Sequence, residues 1–161
     1  HVAVEVAQLT FDRHVAELDA FRDVGSRCGA RRPPQERADA LEVIDRLGQG
    51  HDLHLVTARH MMLELVTLQM LNKYFPDRFV QINHVGEGSK GQVCSAMKAD
   101  VIIDYNAKHL DDAKRCGVEQ RIWFGTYPWQ EHDAVSADYT VRCADWYEVE
   151  KTINQLAASK E

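Results

Sequence analysis

Short apolar runs alternate with stretches of helical periodicity along almost the whole chain. The first run, Val2-Ala3-Val4-Glu5-Val6, is rich in β-branched residues and predicts a strand. Residues 11–35 are mixed. Phe11 to Phe21 carries Val15, Leu18 and Phe21 at helical spacing, and Gly25, Gly29, Pro33 and Pro34 mark a loop. Ala40, Leu41, Ile44 and Leu47 restore a helical stripe over 36–49, closed by Gly48 and Gly50. Leu53 to Thr57 predicts the next strand, and a helix follows from about His60 to Tyr74, ending before Pro76. Phe79 to Ile82 is a third strand, and Ser89 is the N-cap of a helix through Met97. Val101-Ile102-Ile103 is a strand whose three successive β-branched residues suit burial on both faces. Asn106 caps a helix that Gly117 stops, and Arg121 to Phe124 is a fifth strand. Tyr139-Thr140-Val141 is a short last one, and Asp145 caps a terminal helix carrying Trp146, Val149, Ile153 and Leu156.

Repeated strand–helix units predict an α/β fold: a doubly wound, Rossmann-like parallel sheet of about five strands with helices on both faces. With 161 residues, the chain suits one domain spanning 1–161. Chemistry in such a sheet collects beyond the carboxyl ends of the central strands. Those ends carry Glu5 to Ala7, Thr57 to Arg59 and Asp104 to Asn106, and Ser89-Lys90 opens the helix between the last two.

Composition narrows the function without naming it. Apolar residues make up 45% of the chain and charged residues 27%, and the formal charge is −6. That balance argues against direct nucleic-acid binding through net positive charge. Arg27, Arg31 and Arg32 form the one tight basic patch, in a loop-like stretch. No apolar run approaches the length of a membrane span. Four scattered cysteines form no CxxC pair, which fits thiols of an intracellular reducing compartment. The eight histidines include His51, His54 and His60, but His51 and His60 flank the strand that bears His54, so a zinc site is not expected.

The strand-end residues, taken together, resemble the haloacid dehalogenase-like superfamily, and within it the group related to the 5′(3′)-deoxyribonucleotidases. Val56-Thr57-Ala58-Arg59 is similar to its second motif, and Ser89-Lys90-Gly91-Gln92-Val93-Cys94 to its third. Ala99 to Asn106, reading ADVIIDYN, is similar to its fourth. Phe124 to Trp129 and Asp145 to Val149 resemble its C-terminal portion, so the likeness runs from about residue 36 to 155. The resemblance implies phosphoryl chemistry. A first-motif Asp attacks phosphorus and a second acts as general acid and base. Thr57 and Ala58 with Lys90 would hold the phosphoryl group, and the fourth-motif acids with the nucleophile would hold Mg²⁺.

The departures from that pattern decide the expectation. Register places Glu5 at the nucleophile and Ala7 at the acid/base. The extra methylene of Glu moves its carboxylate by about 1 Å, enough to lose roughly 10²-fold. Ala7 transfers no proton, a step typically worth about 10²–10⁴-fold. Tyr105 replaces the second fourth-motif acid. Residues 8–35 leave room only for a reduced cap or linker. The expectation is therefore a catalytically inactive, pseudo-phosphatase domain serving as a binding or structural subunit, with no cofactor and with protein partners, of which a larger assembly is one form. The alternative is a weak phosphohydrolase acting on nucleotides or other small phosphates with Mg²⁺ on Glu5 and Asp104.

Blander roles stand beside these. Thr57 with Arg59 can simply end a strand and cap a helix, and Asp104 with Asn106 can be a capping loop. Lys90 is awkward at a helix start, where cations are disfavoured, and so calls for a carboxylate partner, Glu5 or Asp104. Tyr127, Pro128 and Trp129 are candidate interface residues, although Trp129 could equally fold back over the sheet edge as core.

Overall fold

A computed structural model describes residues 3–7, 34–132 and 140–159; the side chains of 3–7, 34–37 and Trp129 lie outside that description. Among the described residues, six strands form one sheet: β1 (Ala3–Ala7), β2 (Asp52–Thr57), β3 (Phe79–His84), β4 (Val101–Asp104), β5 (Gln120–Phe124) and β6 (Thr140–Cys143). Their spatial order is β3-β2-β1-β4-β5-β6, and every pairing is parallel. The expected count of about five falls one short because the short last run pairs in full. Its register runs from Arg121 opposite Thr140 to Phe124 opposite Cys143, which buries Cys143. The chain steps from β1 out to β3, then crosses back to place β4 on the other side of β1. That reversal puts the carboxyl ends of β1 and β4 at the crevice where such sheets hold their sites.

The described α-helices that connect and flank the strands are α1 (Pro34–Gly50), α2 (Glu64–Tyr74), α3 (Lys90–Ala96), α4 (Ala107–Arg115) and α5 (Trp146–Ala158). On α1, Ala40, Val43, Ile44 and Leu47 follow the i, i+3, i+4, i+7 spacing of one helical face, and all are buried. They share a core with Met70 and Leu71 of α2, with Trp146, Val149 and Ile153 of α5, and with Val101 and Ile103 of β4. Ile102, pointing the other way by the two-residue period of a strand, joins Cys94 of α3 and Leu110 and Ala113 of α4. Each such aliphatic side chain contributes about 1.5–3 kcal/mol when fully buried. The uninterrupted apolar run of β4 is thus explained by helices on both of its sides.

The expected caps form. Ser89 Oγ accepts from Gln92 N at 3.0 Å, Asn106 Oδ1 from Lys108 N at 3.1 Å, and Asp145 Oδ1 from Glu148 N at 2.9 Å. The helix expected from His60 starts later. His60 Nδ1 accepts from Met62 N at 3.3 Å and caps a 3₁₀ turn, Met61–Leu63, and α2 begins only at Glu64. The helical stripe of Phe11 to Phe21, and most of the cap region 8–35, lie outside the described residues.

Candidate functional site at the carboxyl ends of the central strands

Lys90 opens α3, and its side chain runs back under the helix to the end of β4. There Nζ lies 2.9 Å from Asp104 Oδ2, and both side chains are 0% exposed. The other oxygen, Asp104 Oδ1, accepts the backbone N–H of Asn106 at 2.8 Å. Both carboxylate oxygens are therefore committed, one to a charge and one to the turn that leads into α4. Taking two charges out of water is expensive, and their mutual attraction offsets this only with good geometry and satisfied lone pairs. Direct contact and the Asn106 bond provide both.

On either side of Lys90, α3 is seated against α4. Asp112, on α4, accepts Ser89 Oγ at 2.7 Å and Gly91 N at 2.9 Å through the same Oδ2. A Cβ on Gly91 would lie 2.6 Å from the Asp112 carbonyl oxygen and 2.9 Å from Ala113 N. Only glycine lets the two backbones approach so closely. Burial works to raise the Asp112 carboxyl, but the Ser89 and Gly91 hydrogen bonds and the Arg115 charge outweigh it and hold the group below its usual value. His109, half-buried on the same helix, is held below its ordinary value first by burial and then by the Lys90 charge; Asp104 and Asp112 pull the other way.

Thr57 ends β2 and is buried. Its Oγ1 accepts Arg59 N at 3.2 Å, closing a tight turn, and Arg59 Nη1 donates to Thr67 Oγ1 at 3.1 Å. Ala58 lies within that turn. Ending the strand is thus a real role of Thr57 and Arg59, whereas capping is not: His60 caps the 3₁₀ turn that follows and Leu63 is the N-cap of α2.

Register corrects one expectation. The Mg²⁺ alternative needs Glu5 and Asp104 level with one another at the ends of neighbouring strands. The strands are neighbours, but the Cα of Glu5 pairs with His54 on one side and Ile102 on the other. Asp104 therefore lies two residues further along, roughly 7 Å at the rise of a strand, and Ala7 comes level with it. Beyond this register, the side chains of Glu5 and Ala7 lie outside the described residues.

The family likeness would place Mg²⁺ at Asp104. The described residues do not fit that ion. An ammonium sits 2.9 Å from Asp104 Oδ2, where a cation would need to bind, and Tyr105 offers no carboxylate. Tyr105 makes structural contacts: its carbonyl accepts Trp123 Nε1 at 3.1 Å and Gln130 Nε2 at 2.9 Å, and its ring meets Tyr127 edge-on at 6.3 Å. Among the described residues no three His, Cys, Asp or Glu side chains converge as metal ligands.

Periodicity gave no signal for Gln130, in the turn Pro128–His132. It is buried, donates to Tyr105 O at 2.9 Å and Phe124 O at 2.8 Å, and accepts from Tyr127 N at 2.9 Å and Arg142 Nη2 at 3.2 Å. The guanidinium of Arg142 also lies over the Trp123 ring, 4.2 Å from its centroid. These contacts fix the loop after β5 against the loop after β4. Of the interface candidates, Tyr127 is half-buried against Tyr105, Pro128 is exposed, and the Trp129 side chain lies outside the described residues.

Comparison of the chain with known protein families, with curated proteins and with solved structures finds no match. No described helix is long and apolar enough to cross a membrane.

Proposed function

We propose that the chain is a single, doubly wound, haloacid dehalogenase-like domain whose phosphatase cleft has been turned into a structural ion pair. In this reading its function is to bind or support a protein partner in a reducing compartment. The observation that carries the proposal is the buried Lys90–Asp104 contact. In the family likeness the lysine neutralises charge on a transferring phosphoryl group and the aspartate holds the metal. Here each is the other's counter-ion, and neither is open to solvent. A phosphate reaching Lys90 would have to break the pair, leaving a buried carboxylate uncompensated at a cost of about 3–5 kcal/mol.

Three residue replacements support the same reading: Glu5 for the nucleophile, Ala7 for the acid/base and Tyr105 for a metal ligand. The loop of Tyr127, Pro128 and Trp129, braced from beneath by Gln130, is where we expect a partner to dock. Preorganised loops lose less entropy on association than flexible ones. The reading is tested by thermal unfolding with and without Mg²⁺ and millimolar inorganic phosphate. No change in midpoint is expected. A rise that saturates with phosphate only when Mg²⁺ is present would contradict the proposal, because a ligand that binds the native state must stabilise it.

A further inference from the structure

We infer that Asp112 is the positioning residue for Lys90: it holds the start of α3 so that the ammonium is delivered to Asp104. The inference rests on the reading of this pair as the site's own internal counter-ion. A lysine at the first position of a helix opposes the helix dipole, and the first turn of α3 contains no acidic residue to relieve it. Asp112 supplies that negative charge from the neighbouring helix. One of its oxygens takes both the Ser89 hydroxyl and the Gly91 N–H, the residues on either side of Lys90. The absent side chain at Gly91 lets α3 come close enough for this. Lys90 is thus clamped at both ends: its backbone neighbours on Asp112, its head group on Asp104.

The test is the rate at which acetic anhydride labels each lysine of the folded, full chain, read by peptide mass spectrometry. In the wild type, Lys90 should label far more slowly than the exposed Lys108 and Lys151. Asp112→Ala should raise the Lys90 rate about tenfold, the scale set by loss of a helix-start cap. Asn106→Ala, which removes the cap of α4 itself, should leave Lys90 protected even where it lowers overall stability. Should Asp112→Ala fail to fold, Asp112→Asn, which keeps one acceptor oxygen, should give a smaller rise. Unchanged protection in Asp112→Ala or Asp112→Asn would overturn the inference. So would an equal rise in Asn106→Ala, since Asp112 would then only dock α4. Hydrolysis of p-nitrophenyl phosphate by the same wild-type sample would refute the inactive-phosphatase reading separately, whatever the labelling shows.

Discussion

The carboxyl ends of β4 and β2 emerge from the same edge of the sheet, on either side of β1, yet they end in opposite ways. At β4 the buried carboxylate and the backbone are answered: Asp104 by Lys90 and Asn106, and the Tyr105 carbonyl by Trp123 and Gln130. At β2 the buried Thr57 and Arg59 close a turn, and the chain then leaves large apolar side chains in solvent. Met61 is 67% exposed, Met62 85% and Leu65 67%. The two ends teach that the residues that resemble a catalytic motif have not been treated alike. Lys90 and Asp104 are sealed into the fold, where substitution must be expensive. The stretch Met61 to Leu65 that follows Thr57 and Arg59 is largely exposed and should make few demands on stability.

Substitutions can break or sharpen that contrast. The largest effect is expected at Lys90. Lys90→Met should destabilise the fold by about 3–5 kcal/mol, read by urea unfolding, because it strands a buried carboxylate. Adding Asp104→Leu should recover most of that loss, since a buried pair replaced by apolar groups is often neutral. If the double variant is as unstable as the single one, the pair is not acting as a mutual counter-ion. Next comes Gly91→Ala, where the new methyl meets the backbone of Asp112 and Ala113. A loss of about 1–3 kcal/mol is expected in the same assay, and a neutral result would mean that the α3–α4 contact is looser than it looks.

A smaller effect follows from His109, whose folded-state value is lowered. The fold then favours the neutral ring, so its contribution is complete above the unfolded value of about 6.5 and is lost as pH falls through and below it. Stability should therefore fall as pH drops through about 6.5, and His109→Gln should flatten part of that slope. Equal slopes in both proteins would remove His109 as a contributor. Smallest of all, Met62→Ser should change stability by no more than about 0.5 kcal/mol, as exposed positions usually do. A large loss there would show that the β2 end is as tightly built as the β4 end.

Much of the fold was legible in the sequence because its signals are local. The β-branched run 101–103 and the caps Ser89, Asn106 and Asp145 each announce an element through nearest neighbours. The start of α2 was not legible, because the 3₁₀ turn at Met61 is held by a His60 side chain that hydropathy does not weigh. In the site, the awkwardness of a lysine at a helix start pointed to a carboxylate partner, and Asp104 is one. Gln130 and Asp112 left no trace in any periodicity. Both act across elements, Gln130 between the loops after β4 and β5 and Asp112 between two helices. The two-residue offset of Glu5 from Asp104 belongs to the same class, since register is set by how strands pair and not by what each strand contains.

The central claim is that this cleft no longer performs phosphoryl transfer, and it is tested most directly by turnover. Purified chain would be incubated with Mg²⁺ and p-nitrophenyl phosphate or a deoxynucleoside monophosphate, beside a Glu5→Gln variant. The account predicts release of phosphate at the background rate for both proteins. Turnover above background that Glu5→Gln abolishes would contradict it and make Glu5 a working nucleophile.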